Sequence, residues 1–249
     1  FGDSGQLPLL GEVPARLRVM HILGPRYVEK YRALHRPEFV VVGLQSEWEH
    51  YLPGIKGYTV NGGINPDVFR PVAVKKDPAV FTVCAFGRLR KEHKGTRFVL
   101  EAAKSLKDPR VRVLLFDDQP IELPWWTRGM PIETVIDPPQ DEMPSMYCRC
   151  DAFVSAELAA GWSNSTAEAM ACGLPGVCTT SGTVDFALHE KTALLVPFSN
   201  ADAIAAALRR FIDDAPLRRR IAEAGRTEIL KHTWERTVNR MEKVFPKQG

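Results

Sequence analysis

The sequence predicts an α/β fold, a doubly wound parallel sheet of Rossmann-like type, and two observations carry that expectation. Short apolar segments alternate with helical patterns along almost the whole chain. Several of the apolar segments are continuous runs without polar alternation, the pattern of parallel strands covered on both faces. Strand–helix alternation is what βαβ units produce, and such sheets bind ligands outside the carboxyl ends of their strands.

The expected strands, in order, are Leu17–Leu23, Phe39–Leu44, Gly57–Val60, Val80–Ala85, Val111–Phe116, Thr134–Ile136, Ala152–Ser155, Gly176–Thr179 and Ala193–Val196. Between them, Thr96–Leu106 places Val99, Ala102, Ala103 and Leu106 on one helical stripe after Gly95. Asp202–Ile212 does the same with Ile204, Leu208, Phe211 and Ile212, and Asp213, Asp214 and Pro216 close it. A last helix is expected over Glu235–Phe245. Pro53, Gly54 and Gly57 interrupt the pattern and mark a boundary. Only two expected strands precede it, too few for a domain. The expected division is a partial N-terminal Rossmann-like segment (1–55), a ligand-binding domain (56–232) and a closing helix (233–249). The chain opens on Phe1, not Met, so the first domain is expected to be incomplete here.

With 249 residues, 25% of them charged and 45% hydrophobic, the composition is that of a globular protein. A net charge of +3 gives no reason to expect nucleic acid as a partner, though it leaves room for a local basic pocket. No run of 18 apolar residues and no charged-then-apolar leader occurs, so no membrane span and no signal peptide are expected; the cysteines make the reducing cytoplasm the default location. The five cysteines (Cys84, Cys148, Cys150, Cys172 and Cys178) contain no CxxC pair, and Cys148-x-Cys150 is poor zinc geometry. No metal site is expected, and buried reduced thiols are.

Two loops carry candidate chemistry. The first, Phe86-Gly-Arg-Leu-Arg-Lys-Glu-His-Lys-Gly-Thr96, joins a strand to a helix. Gly87 and Gly95 allow sharp turns and close backbone approach, while Arg88 and Lys94 are placed where a bound anion would meet both. With Arg90 and Lys91 alongside, spacing alone fits a basic solvated loop equally well. The second, Glu157-Leu-Ala-Ala-Gly161-Trp-Ser-Asn-Ser165-Thr-Ala-Glu168, leads into a helix that Gly173-Leu-Pro175 ends. Ser165-x-x-Glu168 reads as a capping box. The same helix N-terminus, opening on the carboxyl edge of a parallel sheet, also suits an anion. Taken together, the two loops suit a diphosphate held without a metal.

Five blocks now stand in order: Asn61-Gly-Gly63-Ile-Asn-Pro-Asp-Val-Phe69-Arg-Pro71; Gly87-Arg88-Leu with Lys94-Gly95; Glu168-Ala-Met-Ala-Cys-Gly-Leu-Pro175; Thr180-x-Gly182-x-x-Asp185; and Leu194-Leu-Val-Pro197 with Thr233-Trp234. In order and spacing they resemble the large GT-B family of retaining glycosyltransferases (family 4), mainly its C-terminal donor-binding domain. The resemblance implies that Arg88 and Lys94 bind the donor diphosphate and offset the charge that grows on the leaving group. It implies that Glu168 accepts hydrogen bonds from ribose hydroxyls. Asn164, Ser165 and Thr166 would offer amides or hydroxyls to the phosphates, and Gly63 would line the donor site. It also suggests an acceptor-side role for His21.

Two departures stand out. Where the family carries a Glu near the transferred sugar this chain has Ala160, with Glu157 three residues earlier. Where the family often has glycines this chain reads Asp117-Asp118-Gln119. That acidic pair fits a solvated turn into Pro120 better than a metal site. Trp125 and Trp126 are expected to be buried against the sheet rather than to stack on a ligand.

The implied function is transfer of a sugar from a UDP- or GDP-sugar to an acceptor that is a glycan, lipid or small molecule. No metal and no covalent cofactor are expected, and any peripheral membrane contact is expected through the missing N-terminal domain. Two alternatives stay open at this point: a nucleotide-sugar-binding module inactive alone, and a phosphorylase or epimerase on the same fold.

Overall fold

The computed structural model describes residues 19–22, 28–35, 37 and 39–244. Leu17 and Leu23, the ends of the expected first strand, and Phe245 of the expected last helix lie outside them.

The first unit is a parallel three-stranded sheet, β1 (Val19–Ile22), β2 (Val40–Gly43) and β3 (Gly57–Thr59), in the order β1-β2-β3. Helices α1 (Val28–Leu34) and α2 (Trp48–Tyr51) accompany it. Trp48 is its anchor, fully buried, with the indole N–H donating to Thr59 Oγ1 at 3.1 Å. A Cβ on Gly43 would lie 2.2 Å from the Trp48 ring and one on Gly57 2.7 Å from it, so both glycines make room for the indole. β3, expected as the strand Gly57–Val60, pairs with β2 and completes the first sheet, which therefore extends past residue 55.

The second unit is a parallel six-stranded sheet in the order β6-β5-β4-β7-β8-β9. Its strands are β4 (Phe81–Phe86), β5 (Val111–Asp117), β6 (Ile132–Ile136), β7 (Ala152–Ser155), β8 (Gly176–Cys178) and β9 (Ala193–Leu195). The chain begins in the centre at β4, runs outward through β5 and β6, then returns to β7 and runs outward the other way. Such a sheet has its topological switch point between β4 and β7, where the loops leaving the two strands diverge and open a crevice.

Helices cover both faces. On one, α3 (Thr96–Ser105) and α6 (Ala201–Asp213) bury Val99, Leu100, Ala102, Ile204, Leu208 and Phe211, much of the stripe that periodicity predicts. On the other, α4 (Met143–Cys148) and α5 (Asn164–Ala171) bury Met146, Tyr147, Ala167 and Met170. Asn200 caps α6 by accepting from the Ala203 amide at 2.8 Å.

The acidic and proline residues after α6 do more than close it. Asp214 accepts from the Leu217 amide at 2.8 Å and so caps α7 (Ala215–Ile229), with Pro216 in the first turn where its missing N–H costs nothing. All five cysteines are free and buried.

The last helix, α8 (Trp234–Val244), returns to the loop that leaves the first sheet. The Ile64 amide donates to His232 O at 2.9 Å and the Trp234 amide to Ile64 O at 3.1 Å. Thr237 Oγ1 and the Arg240 guanidinium donate to the Asn61 carbonyl and side chain at 3.1 and 2.8 Å. Asp185 accepts from the Ser46 amide at 3.0 Å and joins the two units at a second point. No helix among the described residues is long and apolar enough to cross a membrane.

Candidate functional site

The switch-point crevice is where the structure gathers the charged loop residues. β4 ends at Phe86, and Gly87 turns the chain so tightly that a Cβ would lie 2.4 Å from Ile121 Cδ1. After a single 3-10 turn at Glu92–Lys94, Gly95 takes φ +66°. A Cβ there would lie 1.9 Å from the Ala156 carbonyl oxygen, so the loop rests directly on the end of β7. The Leu158 amide donates to His93 O at 2.7 Å, and Thr96 Oγ1 donates to Phe86 O at 2.8 Å. These contacts fix the positions of Arg88 and Lys94 relative to the loop after β7.

Arg88 and Lys94 both lie over one aromatic ring. The Arg88 guanidinium lies 4.7 Å and the Lys94 ammonium 5.7 Å from the centre of the Phe86 ring. Phe86, Lys94, Glu157 and Ser165 line one shallow crevice. Neither cation is a bare surface charge. Arg88 donates through Nε and a terminal nitrogen to Asp117 Oδ1, at 3.2 and 2.9 Å, and also to Asp118. Lys94 is paired with Glu157, whose side chain is buried. Hydrogen bonding to Asp117, the largest influence, raises the Arg88 pKa further.

The acidic pair therefore departs from the expected solvated turn. Asp117 is the last residue of β5, 1% exposed, and its Oδ1 also accepts the Asp118 amide at 2.8 Å. Its Oδ2 is buried without a hydrogen-bond partner. Asp118 alone faces solvent. Glu157, singled out in the sequence for its closeness to Ala160, is the counter-ion of Lys94. Ala160 itself is braced by Ser181, whose Oγ accepts its amide at 2.7 Å.

The capping-box expectation is corrected. Helix α5 starts two residues earlier than the box requires, with Ser163 as its N-cap and Ser165 already inside the first turn. Ser163 Oγ pairs with Thr166 Oγ1 at 2.7 Å. Thr166 is fully buried, so its hydroxyl is committed to Ser163 and not turned outward. The Glu168 carboxylate, expected to fold back on the cap, accepts from the Tyr147 hydroxyl at 3.0 Å. Burial pushes its pKa up to about 7, and the Tyr147 hydrogen bond pulls the other way. The first-turn amides of Asn164, Ser165 and Thr166 have no preceding helical carbonyl to bond and carry the positive end of the helix dipole. Asn164 is exposed and Ser165 half-buried at that end.

Two expected site residues lie on other elements. Gly63 sits against the start of α8, where a Cβ would lie 2.7 Å from the Trp234 amide nitrogen. Its absence of a side chain serves that contact. His21 is on β1 of the first sheet, exposed, in register with Val42 of β2. Trp125 is 86% exposed, against the expectation of burial. Pro124 caps a single 3-10 turn from Trp125 to Thr127, which presents the ring outward. Trp126 is half-buried beneath Lys104, beside an open cavity of about 810 Å³ that also contacts Gly87, Leu89 and Arg90. Sequence reasoning missed Tyr147, which carries no local signal, because its role exists only through the packing of α4 on α5.

A doubly wound sheet, with two cations and a helix N-terminus gathered at its switch point, defines an α/β protein of the Rossmann-like GT-B type. The family model described as "Glycosyl transferases group 1" matches residues 80–214, more than half of the chain, and the chain belongs to that family. A curated relative, the D-inositol 3-phosphate glycosyltransferase of Salinispora arenicola (strain CNS-205), is 28% identical over 111 residues. That match takes in 43% of this chain and only 25% of the relative's length. Among solved structures, sucrose-phosphate synthase from Thermosynechococcus elongatus superposes with a TM-score of 0.81 at 21% identity, covering 95% of this chain and 69% of that one. HepE from Anabaena, solved in complex with UDP and glucose, gives 0.77 at 14% identity, covering 97% and 75%. At these identities the likeness is one of fold.

Proposed function

We propose that this chain provides the donor site of a retaining, metal-independent glycosyltransferase that takes its sugar from a nucleoside diphosphate. One observation carries the reading. Arg88 and Lys94, from the loop after β4, both lie over the Phe86 ring, and Lys94 shares a crevice with Ser165 of the first α5 turn. In this reading an anion bound beside them would meet both cations and the positive end of the α5 dipole. The HepE complexes with UDP and with UDP-glucose support a uridine nucleotide as the first ligand to try.

In this reading the diphosphate leaves while held by Arg88, Lys94 and the first-turn amides of Asn164, Ser165 and Thr166. These groups are fixed before reaction, so they stabilise the growing negative charge without reorganising, and the positive charge needed comes from the chain itself. Glu168 receives the ribose hydroxyls, and at neutral pH its carboxyl lies near its own titration point. His21 would act from the acceptor side, together with chain that belongs to the first unit. The five buried thiols suit a reducing compartment, and we take the cytoplasm as the location.

A second reading, a nucleotide-sugar-binding module without turnover, is favoured by Ala160 in place of the expected carboxylate. Incubation with UDP-glucose and GDP-mannose, followed by assay for released nucleoside diphosphate with and without simple glycoside acceptors, separates the two. Release above the uncatalysed rate, lost in Arg88→Ala, supports transfer. Nucleotide binding without release supports the module, and absence of binding rejects both.

A further inference from the structure

We propose that Asp118 is an internal counter-anion, which a ligand's diphosphate must displace from Arg88, and that Arg90 secures Asp117 when it does. The inference rests on the donor-site reading above and deepens it by naming the residue that sets the charge threshold for entry.

The two carboxylates on Arg88 are not equivalent. Asp117 is buried and held three times over, by Arg88 Nε, an Arg88 terminal nitrogen and the Asp118 amide, at 3.2, 2.9 and 2.8 Å. Asp118 has a side chain 57% exposed, and its direct ion pair is with the same terminal nitrogen of Arg88. A carboxylate and a phosphate oxygen compete for one kind of partner, the planar fork of a guanidinium. The exposed competitor is the one a ligand can remove, because an exposed ion pair contributes little.

Asp117 Oδ2 supplies the other half of the argument. It is buried and without a hydrogen bond, an arrangement that normally has a cost. The Arg90 terminal nitrogen stands 3.8 Å from it, too far to bond, on a side chain 40% exposed. Arg90 stands equally far, 3.8 Å, from Asp118. Arg88 and Arg90 thus balance Asp117 and Asp118. When a diphosphate takes the outer side of Arg88, Arg90 moves in by about an ångström, the shift that brings a 3.8 Å pair to hydrogen-bond length. Asp117 then stays paired, and Asp118 is released to water. Lys94 offers no such exchange, since its partner Glu157 is buried.

Calorimetric titration with inorganic pyrophosphate and with UDP tests this on the wild-type chain, Asp118→Asn, Asp118→Glu and Arg90→Gln. Asp118→Asn should bind pyrophosphate about five-fold more tightly, the upper end for losing one exposed pair, and Asp118→Glu should stay within about two-fold of wild type. Arg90→Gln should bind more weakly. Binding seen in Asp118→Asn but undetectable in wild type also supports the proposal. Equal or weaker binding by Asp118→Asn, or no pyrophosphate binding by either, overturns the Asp118 role. Unchanged affinity in Arg90→Gln overturns the Arg90 role. A five-fold gain for pyrophosphate with no binding of UDP to either protein would instead defeat the nucleotide reading and leave the counter-anion standing.

Discussion

Replacing Gly95 by alanine asks how firmly the loop that carries Arg88 and Lys94 depends on one backbone contact. Two costs combine. Gly95 sits at φ +66°, where an L residue loses about 1–2 kcal/mol. The new methyl carbon would also lie 1.9 Å from the Ala156 carbonyl oxygen and 2.6 Å from its carbon. Both are backbone atoms, so no rotamer change relieves the overlap, and overpacking of this kind adds about 1–3 kcal/mol. The expected loss is therefore about 2–5 kcal/mol, or a fall in Tm of roughly 5–15 °C for a chain of this size. Gly173→Ala is the control. It shares the positive φ, at +84°, but its Cβ would meet nothing nearer than Pro71 Cγ at 3.7 Å, so it should show the conformational cost alone. Relief of the clash moves Lys94 away from Glu157, so nucleotide affinity should fall together with stability in Gly95→Ala only. Thermal unfolding followed by circular dichroism, with UDP titration of both variants, decides the matter. A Gly95→Ala protein within about 0.5 kcal/mol of Gly173→Ala, with unchanged affinity, would refute this account of the loop.

Three further outcomes are expected. Glu168 has a folded pKa of about 7 against 4.5 for the free side chain, so the native state holds its proton more tightly than the unfolded one. Stability should then fall as pH rises from about 4.5 to 7, by at most about 3 kcal/mol, and level off above. Denaturant midpoints across that range should lose this component in Glu168→Gln, and an unchanged profile would count against it. Asp214→Ala removes the α7 cap and should cost about 1 kcal/mol in urea denaturation, whereas no loss would show that the cap is idle. Trp125→Ala should leave stability within about 0.5 kcal/mol and remove the fluorescence most easily quenched by acrylamide, since the ring is 86% exposed.

Much of the architecture was legible in the chain itself because its signals are local. The continuous apolar runs mark β4, β5 and β7, and the periodic stripes of Val99–Ala103 and Ile204–Phe211 mark α3 and α6. Where a residue serves two neighbours, the local signal misleads. Asp214 and Pro216 read as a stop for α6, yet the same residues start α7, since proline is compatible with a first helical turn. Gly57 reads as a break, yet its lack of a side chain is what lets a strand pack on Trp48.

Within the candidate site, residue types and loops could be read, but the pairings could not. Arg88 with Asp117 spans 29 positions and Lys94 with Glu157 spans 63, and no periodicity connects residues across such gaps. The Ser165-x-x-Glu168 spacing satisfies a capping box on paper. It fails in the fold because Tyr147, reaching over from α4, takes the carboxylate first.

The claim on which the rest depends is that Arg88 and Lys94 hold a nucleoside diphosphate at the switch point. Titration of UDP into the wild-type chain and into the Arg88→Ala, Lys94→Ala double variant tests it most directly. Losing two charge-assisted contacts, at about 1.5–3 kcal/mol each, should weaken binding by at least about a hundred-fold, with the thermal unfolding of both proteins measured alongside. Equal affinity in the two, or no binding of UDP, GDP or ADP to the wild type, would contradict the account.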